Sequence, residues 1–168
     1  FHPVHGGSLH IVCGRKGYHE VQHTVNERTH FERYLTHPHT FRNFAAEAEK
    51  RILHLGELVR SLRKSGKTVA AYGATSKCSV MFTRCGFTPD DIMYISDSSP
   101  TKQGKFQPTT NIPVISREEA GRRGLPDVFV LSAWNHELEI VAKERDFLET
   151  GGQFLTWVPA CRMISAEH

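Results

Sequence analysis

The loop Gly73-Ala-Thr-Ser-Lys77 combines a glycine, two hydroxyls and a cation within five residues. It follows the apolar run Thr68–Tyr72 and opens a segment with helical spacing. Amide groups at the start of a helix attract an anion, and the hydroxyl and ammonium side chains add donors. The pattern predicts a phosphate site, with an ordinary tight turn as the alternative. We expect the binding groups to come from six consecutive residues: Tyr72, Gly73, Ala74, Thr75, Ser76 and Lys77.

Asp97 stands at the end of a second apolar run, Asp91–Ser96. A Rossmann-type fold places a carboxylate at about this point to accept a hydrogen bond from a ribose hydroxyl. Aspartates at strand ends also cap turns, and that alternative stays open. Two lysines in the next loop, Lys102 and Lys105, could close over a diphosphate or could simply be solvated.

Asn135 and His136 follow a third apolar run, Asp127–Ser132. Asn135 suits the N-cap of the helix predicted over Glu137–Leu148. Ligands of open α/β sheets bind beyond the carboxyl ends of the strands, where both side chains would lie. The two residues therefore either cap the helix alone or also contact a ligand.

Histidine is abundant, with 11 residues in the chain, and eight of them lie in the first 40 positions. No pair has the H-E-x-x-H spacing of a zinc site, and a proline separates His37 from His39. We therefore expect exposed polar surface and no metal site. The four cysteines form no C-x-x-C pair, which favours reduced thiols in a cytoplasmic protein.

The composition is that of an ordinary globular domain, because 39% of the 168 residues are hydrophobic and 23% are charged. A net charge of +3 is too small to indicate a nucleic-acid-binding face. No apolar run approaches the roughly 20 residues needed to cross a bilayer. We expect neither a nucleic acid nor a membrane as a partner.

Apolar runs alternate with helical segments from Lys67 to Pro159, which predicts an α/β fold. Because the runs are apolar throughout, we expect a Rossmann-like parallel sheet with helices on both faces. The predicted strands are Thr68–Tyr72, Asp91–Ser96, Ile112–Ile115, Asp127–Ser132 and Gln153–Val158, and the predicted helices are Cys78–Cys85, Arg117–Arg123 and Glu137–Leu148.

Two elements precede this sheet. Ser8–Cys13 has the pattern of a strand, and a long amphipathic helix runs from Thr40, its predicted N-cap, to a stop at Gly66. This divides the chain into a junction strand with a histidine-rich connector, residues 1–39, and a Rossmann-like domain, residues 40–168. Because the sequence begins with a residue other than Met, we expect it to be part of a longer polypeptide or a processed one.

A series of short motifs runs in a fixed order over about residues 3 to 160. They are His5-Gly-Gly-Ser-Leu9, Gly66-Lys67, Tyr72-Gly73-Ala74 with Lys77, Asp97 with Pro100, Lys102-Gln-Gly-Lys105, Ile112-Pro-Val114, Pro126-Asp127, Trp134-Asn135 with Glu139-Ile140, and Gly151-Gly152 before Phe154. Together they resemble the C-terminal domain of SAM-dependent sugar C-methyltransferases, which act on nucleotide-linked deoxysugars. The chain departs from this family at Thr109, where the family usually has Gly after the Pro.

The resemblance implies C-methylation at C3 of a nucleotide-linked 4-keto-6-deoxysugar. A base would remove the proton beside the ketone, and the enolate would attack the methyl group of S-adenosylmethionine. This domain would position the nucleotide diphosphate sugar, with His5 and Ser8 as substrate contacts near the junction. The resemblance places the base, a zinc module and the SAM-binding domain outside this chain. We therefore expect no catalytic residue, metal or bound SAM within it.

Two other functions fit the same residues. The chain could be a free-standing binding or assembly module that supplies a sugar nucleotide to a separate SAM-dependent enzyme. An NAD-dependent oxidoreductase domain is the third option. It is disfavoured because only the first glycine of a G-x-G-x-x-G fingerprint is present.

Overall fold

The computed structural model describes residues 11–18, 20 and 22–166. The chain forms two compact units, Phe1–Glu49 and Lys50–His168. The first unit contains helix α1 (His23–Phe31), a 3-10 turn at Arg33–Thr36 and the start of helix α2 (Pro38–Lys64). Half of the predicted strand Ser8–Cys13 lies outside the described residues, and its residues 11–13 are not in a strand.

Helix α1 has no buried residue. Its large apolar side chains, Val25 and Phe31, are exposed and lie six residues apart, so the sequence carries no apolar period of 3.6 residues and predicts no helix there. Two pairs of side chains with a spacing of four residues lie along it. His23 lies 3.5 Å from Glu27, and Arg28 donates a hydrogen bond to Glu32. Part of the histidine-rich connector is therefore helical.

Helix α2 begins at Pro38, so the prediction of Thr40 as its N-cap is wrong. A proline fits the first turn of a helix because its missing N–H would have no helical acceptor there. The Thr40 hydroxyl instead donates to the Tyr34 carbonyl at 2.8 Å. The predicted stop is confirmed: Gly66 has a φ of +85°, and the Lys67 amide bonds back to the Leu62 carbonyl.

The second unit is built on one six-stranded sheet in the order β3-β2-β1-β4-β5-β6. Its strands are β1 (Val69–Tyr72), β2 (Ile95–Ser96), β3 (Val114–Ile115), β4 (Val128–Leu131), β5 (Gln153–Thr156) and β6 (Arg162–Ile164), and its further helices are α3 (Ser76–Cys85), α4 (Arg117–Arg123), α5 (Glu137–Lys143) and α6 (Arg145–Glu149). The first five strands are parallel, and β6 pairs with β5 in the antiparallel direction. The predicted Rossmann-like α/β fold is confirmed.

Two apolar clusters cover the two faces of this sheet. On one face, α2 and α3 contribute Leu55, Val59 and Phe82 to a cluster with alternate strand residues. On the other face, α4, α5 and α6 pack over Phe129 and Phe154. No described helix is both long enough and apolar enough to cross a membrane.

Three secondary-structure predictions need correction. The run Asp91–Ser96 is a strand only at Ile95–Ser96, and the antiparallel β6 was not predicted. The helix expected over Glu137–Leu148 is two helices, which meet at Glu144. The short strands at the sheet edge have too few residues to display a period in the sequence.

The predicted N-cap role of Asn135 is also wrong. A 3-10 turn covers Trp134–His136, and α5 begins only after it. His136 occupies the position before α5, with no side-chain cap bond.

Two of the motif segments meet at the amino end of the sheet. The Asp127 carboxylate accepts hydrogen bonds from the Thr68 amide at 2.7 Å and from the Lys67 ammonium at 3.3 Å. The Thr68 amide and hydroxyl are the main reason that the pKa of Asp127 lies below its usual value. These residues join β1 to β4 at the amino end of the sheet, and the predicted site lies at the carboxyl end. Their role is therefore structural.

Candidate functional site

Gly73 brings the loops after β1, β2 and β4 together. Its φ is +95°, and its amide donates to the Ser96 carbonyl at 2.8 Å. A Cβ atom added to Gly73 would lie 2.9 Å from the Ala133 Cβ, closer than such atoms approach in real structures. Only glycine therefore fits both this backbone conformation and this contact.

The amides of the Gly73 loop are largely occupied by the protein itself. The Ala74 amide donates to Asp97 Oδ2 at 2.6 Å, and the Thr75 amide donates to the Gly73 carbonyl at 3.0 Å. The Thr75 hydroxyl caps α3 by accepting from the Cys78 amide at 3.2 Å. The first-turn amides of Ser76 and Lys77 have no acceptor in the described part of the chain, so these two remain for an anion.

Asp97 joins the β1 and β2 loops. Besides the Ala74 amide, its carboxylate accepts from the Ser99 amide at 2.8 Å and from the Lys102 ammonium at 3.2 Å. Asp97 is buried, and its carbonyl accepts from the Gln103 amide group at 2.9 Å. A ribose hydroxyl could use only the remaining lone pairs, since the protein occupies both oxygens. Asp97 therefore holds Lys102 beside the loop.

A cavity of about 210 Å³ opens at the carboxyl ends of β1 and β2, with Val114 of β3 in its wall. Four of the predicted site residues line it, namely Ala74, Thr75, Lys102 and Lys105. Its other walls come from residues that the sequence did not single out as site residues: Cys78, Ser79, Thr101, Phe106, Gln107, Pro108 and Val114. The wall thus includes two cations and several apolar groups.

Gln107, in the cavity wall, has a buried side-chain amide whose oxygen is hydrogen-bonded and whose nitrogen is not, within the part of the chain that the structure describes. Gln107 is 4% exposed, and its Oε1 accepts from the Thr110 amide at 3.2 Å and from the Thr110 hydroxyl. Gln107 Nε2 has no hydrogen-bond partner among the described residues. The Cys78 thiol beside it is unsuited to act as a nucleophile, because burial raises its pKa to about 12.

Thr109, the position where the chain departs from the family, has a strained backbone. Its φ is +74°, in the region that glycine enters freely and a β-branched residue rarely adopts. Its hydroxyl lies 2.6 Å from that of Thr83 on α3, which holds the loop to the helix. A glycine at this position would adopt the conformation without strain.

In a Thr83→Ala background, which already lacks the bond between the two hydroxyls, we expect Thr109→Gly to raise the free energy of unfolding by about 0.5–1 kcal/mol, because relief of strain exceeds the added chain entropy. Asn111 is the matched control, since its φ is +57° and asparagine tolerates that region. In urea denaturation, Asn111→Gly should change the free energy of unfolding by close to zero. A lower free energy of unfolding on introducing Thr109→Gly would contradict the claim that the Thr109 backbone is strained.

The Tyr72 side chain lies on the opposite face of the sheet from α3. Its ring packs edge-on against Phe129 and Phe154, and its hydroxyl donates to Glu144 at 2.8 Å. Arg117 binds the other Glu144 oxygen at 2.8 Å. Burial, followed by the Glu144 bond, raises the pKa of Tyr72, so the phenol stays protonated. Tyr72 fixes the end of β1 and is not among the residues that line the cavity.

The remaining predicted residues lie elsewhere or outside the described chain. Lys77 Nζ lies 5.6 Å from the centre of the Trp134 ring, and His136 lies 3.5 Å from Glu139. Neither they nor Ser76 and Asn135 line the cavity. His5 and Ser8 fall outside the described residues.

The arrangement is suited to binding an anionic ligand. Two lysines and the open end of α3 supply positive potential, and the apolar wall can cover a ring. Among the described residues, no three metal-ligating side chains come together. The groups at this site can hold and orient a ligand.

The chain is similar to known proteins over most of its length. Residues 3–159 match the family described as the C-methyltransferase C-terminal domain. The chain is 40% identical over 167 residues to the C-methyltransferase NovU of Streptomyces niveus, an alignment that covers 98% of this chain. It spans only 40% of that relative's length. Since the family match includes β1 to β5 and the cavity between their loops, this chain belongs to the C-methyltransferase C-terminal domains.

Proposed function

We propose that this chain binds the nucleotide-linked 4-keto-deoxysugar of a SAM-dependent C-methyltransferase and positions it for methyl transfer at C3. The observation that carries the proposal is the cavity between the Gly73 loop and residues 101–108, with Lys102 and Lys105 in its wall. A sugar nucleotide combines a diphosphate, which needs cations and amide donors, with a ring that needs an apolar wall. The family match and the similarity to NovU support the reaction class.

The diphosphate would lie across the start of α3. The amides of Ser76 and Lys77 point from the first turn of a ten-residue helix, and the helix dipole adds to their attraction for an anion. Lys105 has no ion-pair partner within the described part of the chain, so its charge is available to a phosphate. Lys102 shares its charge with Asp97, which fixes its place.

The lining of this cavity disfavours S-adenosylmethionine. Its sulfonium is a cation, and the charged groups of the lining residues are two lysines. The proposal therefore places the methyl donor on a SAM-binding domain of the same or a partner chain. The part of this chain is to hold the sugar nucleotide in line for that donor. All four cysteines are free thiols, in keeping with the proposed cytoplasmic setting.

Thermal unfolding with added ligands tests this division of labour. A sugar nucleotide at 100 times its Kd stabilises the folded chain by about 2.7 kcal/mol, which raises Tm by several degrees. We expect TDP- or GDP-linked sugars to produce such a shift, and SAM and NADH to produce none. Stabilisation by SAM without stabilisation by any nucleotide sugar would overturn the proposal.

Lys105→Ala is expected to weaken binding of the nucleotide sugar by about 10- to 150-fold, since a charge-assisted hydrogen bond contributes about 1.5–3 kcal/mol. Lys143→Ala is the matched control, because Lys143 is an exposed lysine at the end of α5, on the other face of the sheet. Calorimetric titration should show that Lys143→Ala leaves the Kd of the nucleotide sugar unchanged. Equal losses in the two variants would indicate only a general effect of net charge.

A further inference from the structure

Gln107 presents a buried donor that the fold does not use. The Thr110 amide can only donate, so the Gln107 atom that faces it at 3.2 Å must be the oxygen. The orientation of the side-chain amide is therefore fixed by the backbone, and Nε2 is directed away from Thr110. Buried N–H groups nearly always have an acceptor. Nε2 has none among the described residues, although its residue lines a cavity.

The neighbours of Gln107 are suited to a flat ring. Phe106 and Pro108 flank it in sequence and line the same cavity, and the Phe106 side chain is 65% exposed. Exposed aromatic rings bind nucleobases by stacking. The cavity, at about 210 Å³, is smaller than the ~300–1,000 Å³ typical of sites for drug-sized ligands, so it holds only part of a sugar nucleotide.

We propose that the nucleobase of the substrate occupies this cavity against Phe106, and that Gln107 Nε2 donates a hydrogen bond to a carbonyl oxygen of the base. This inference rests on the proposed function and adds the part of the ligand that the cavity recognises. Lys102 and Lys105 would bind the phosphates. Because the Gln107 oxygen is occupied by Thr110, the side chain can offer only a donor, which requires an acceptor on the base, and a carbonyl oxygen meets that requirement.

Binding of two probes to the whole chain tests this assignment by calorimetry. Thymidine diphosphate carries the base, and inorganic pyrophosphate lacks it. We expect Gln107→Met, which keeps the side-chain length but removes the donor, to weaken thymidine diphosphate binding at least 10-fold. The same variant should change the Kd of pyrophosphate by less than 2-fold.

Thr110→Val is the matched control for damage to the loop. It removes the Thr110 hydroxyl that bonds to Gln107 Oε1 and leaves Nε2 in place. We expect it to change the Kd of both probes by less than 3-fold. Phe106→Leu should resemble Gln107→Met, because it removes the stacking surface and leaves the lysines.

Three results would overturn the inference. Equal weakening of both probes in Gln107→Met would give Gln107 only a role in loop structure. An unchanged Kd for thymidine diphosphate would exclude the donor. If the wild-type chain bound thymidine diphosphate no more tightly than pyrophosphate, a base site would be excluded and the anion site would remain. If the wild-type chain bound neither these probes nor any nucleotide sugar, the proposed function itself would fail.

Discussion

Arg117→Met is expected to lower the free energy of unfolding by about 3–5 kcal/mol. The Glu144 side chain is only 6% exposed, and Arg117, 31% exposed, is its charged partner at 2.8 Å. Without Arg117, a buried carboxylate keeps only the Tyr72 hydroxyl as a donor. Breaking a buried pair is costly because the remaining charge stays out of water. Chemical denaturation of the purified chain measures the loss.

Two further variants separate the charge from the packing. Adding Glu144→Gln to Arg117→Met removes the stranded charge, so the double variant should recover part of the lost stability. Tyr72→Phe alone should cost only about 1 kcal/mol, because Glu144 keeps Arg117. A double variant less stable than Arg117→Met would show that the Glu144 charge is not the source of the loss.

Gly73→Ala is expected to destabilise the chain by about 2–5 kcal/mol and to abolish measurable nucleotide binding. A positive φ costs alanine about 1–2 kcal/mol, and overpacking against Ala133 adds about 1–3 kcal/mol. Relief of the contact must move the β1 loop, which also carries the Ala74 bond to Asp97. Binding and stability should therefore fall together.

Gly66→Ala is the matched control for the backbone strain. Gly66 has a φ of +85°, but an added Cβ would meet nothing within 4 Å. It should cost about 1–2 kcal/mol and leave nucleotide affinity unchanged. Equal losses of stability in the two variants would contradict the importance of the Ala133 contact.

The sheet could be predicted because its strands are apolar and its helices are periodic. The runs ending at Tyr72 and Ser132 coincide with β1 and β4 to within one residue at each end. The short β2 and β3 lie among loop residues, and their pairing depends on neighbours distant in sequence. Helix α1 buries no residue, so its sequence carries no periodic apolar face that would predict a helix.

The candidate site could be predicted only in part. Glycine, hydroxyl and lysine residues after β1 and β2 indicated the end of the sheet at which the cavity opens. The face to which Tyr72 points could not be determined, because β1 is apolar on both faces. Gln107 and Phe106 were missed because the loop that orients them depends on positive φ angles at Thr109 and Asn111.

Amide hydrogen exchange with and without a TDP-linked sugar tests the central claim most directly, since it both detects binding and locates it. The account predicts slower exchange in two segments, residues 74–79 and 101–108, which contain all the residues that line the cavity except Val114. Helix α5 should exchange at the same rate in both samples. Saturable binding that protects only residues outside those two segments would contradict the proposed site, and so would exchange unaffected by any nucleotide sugar.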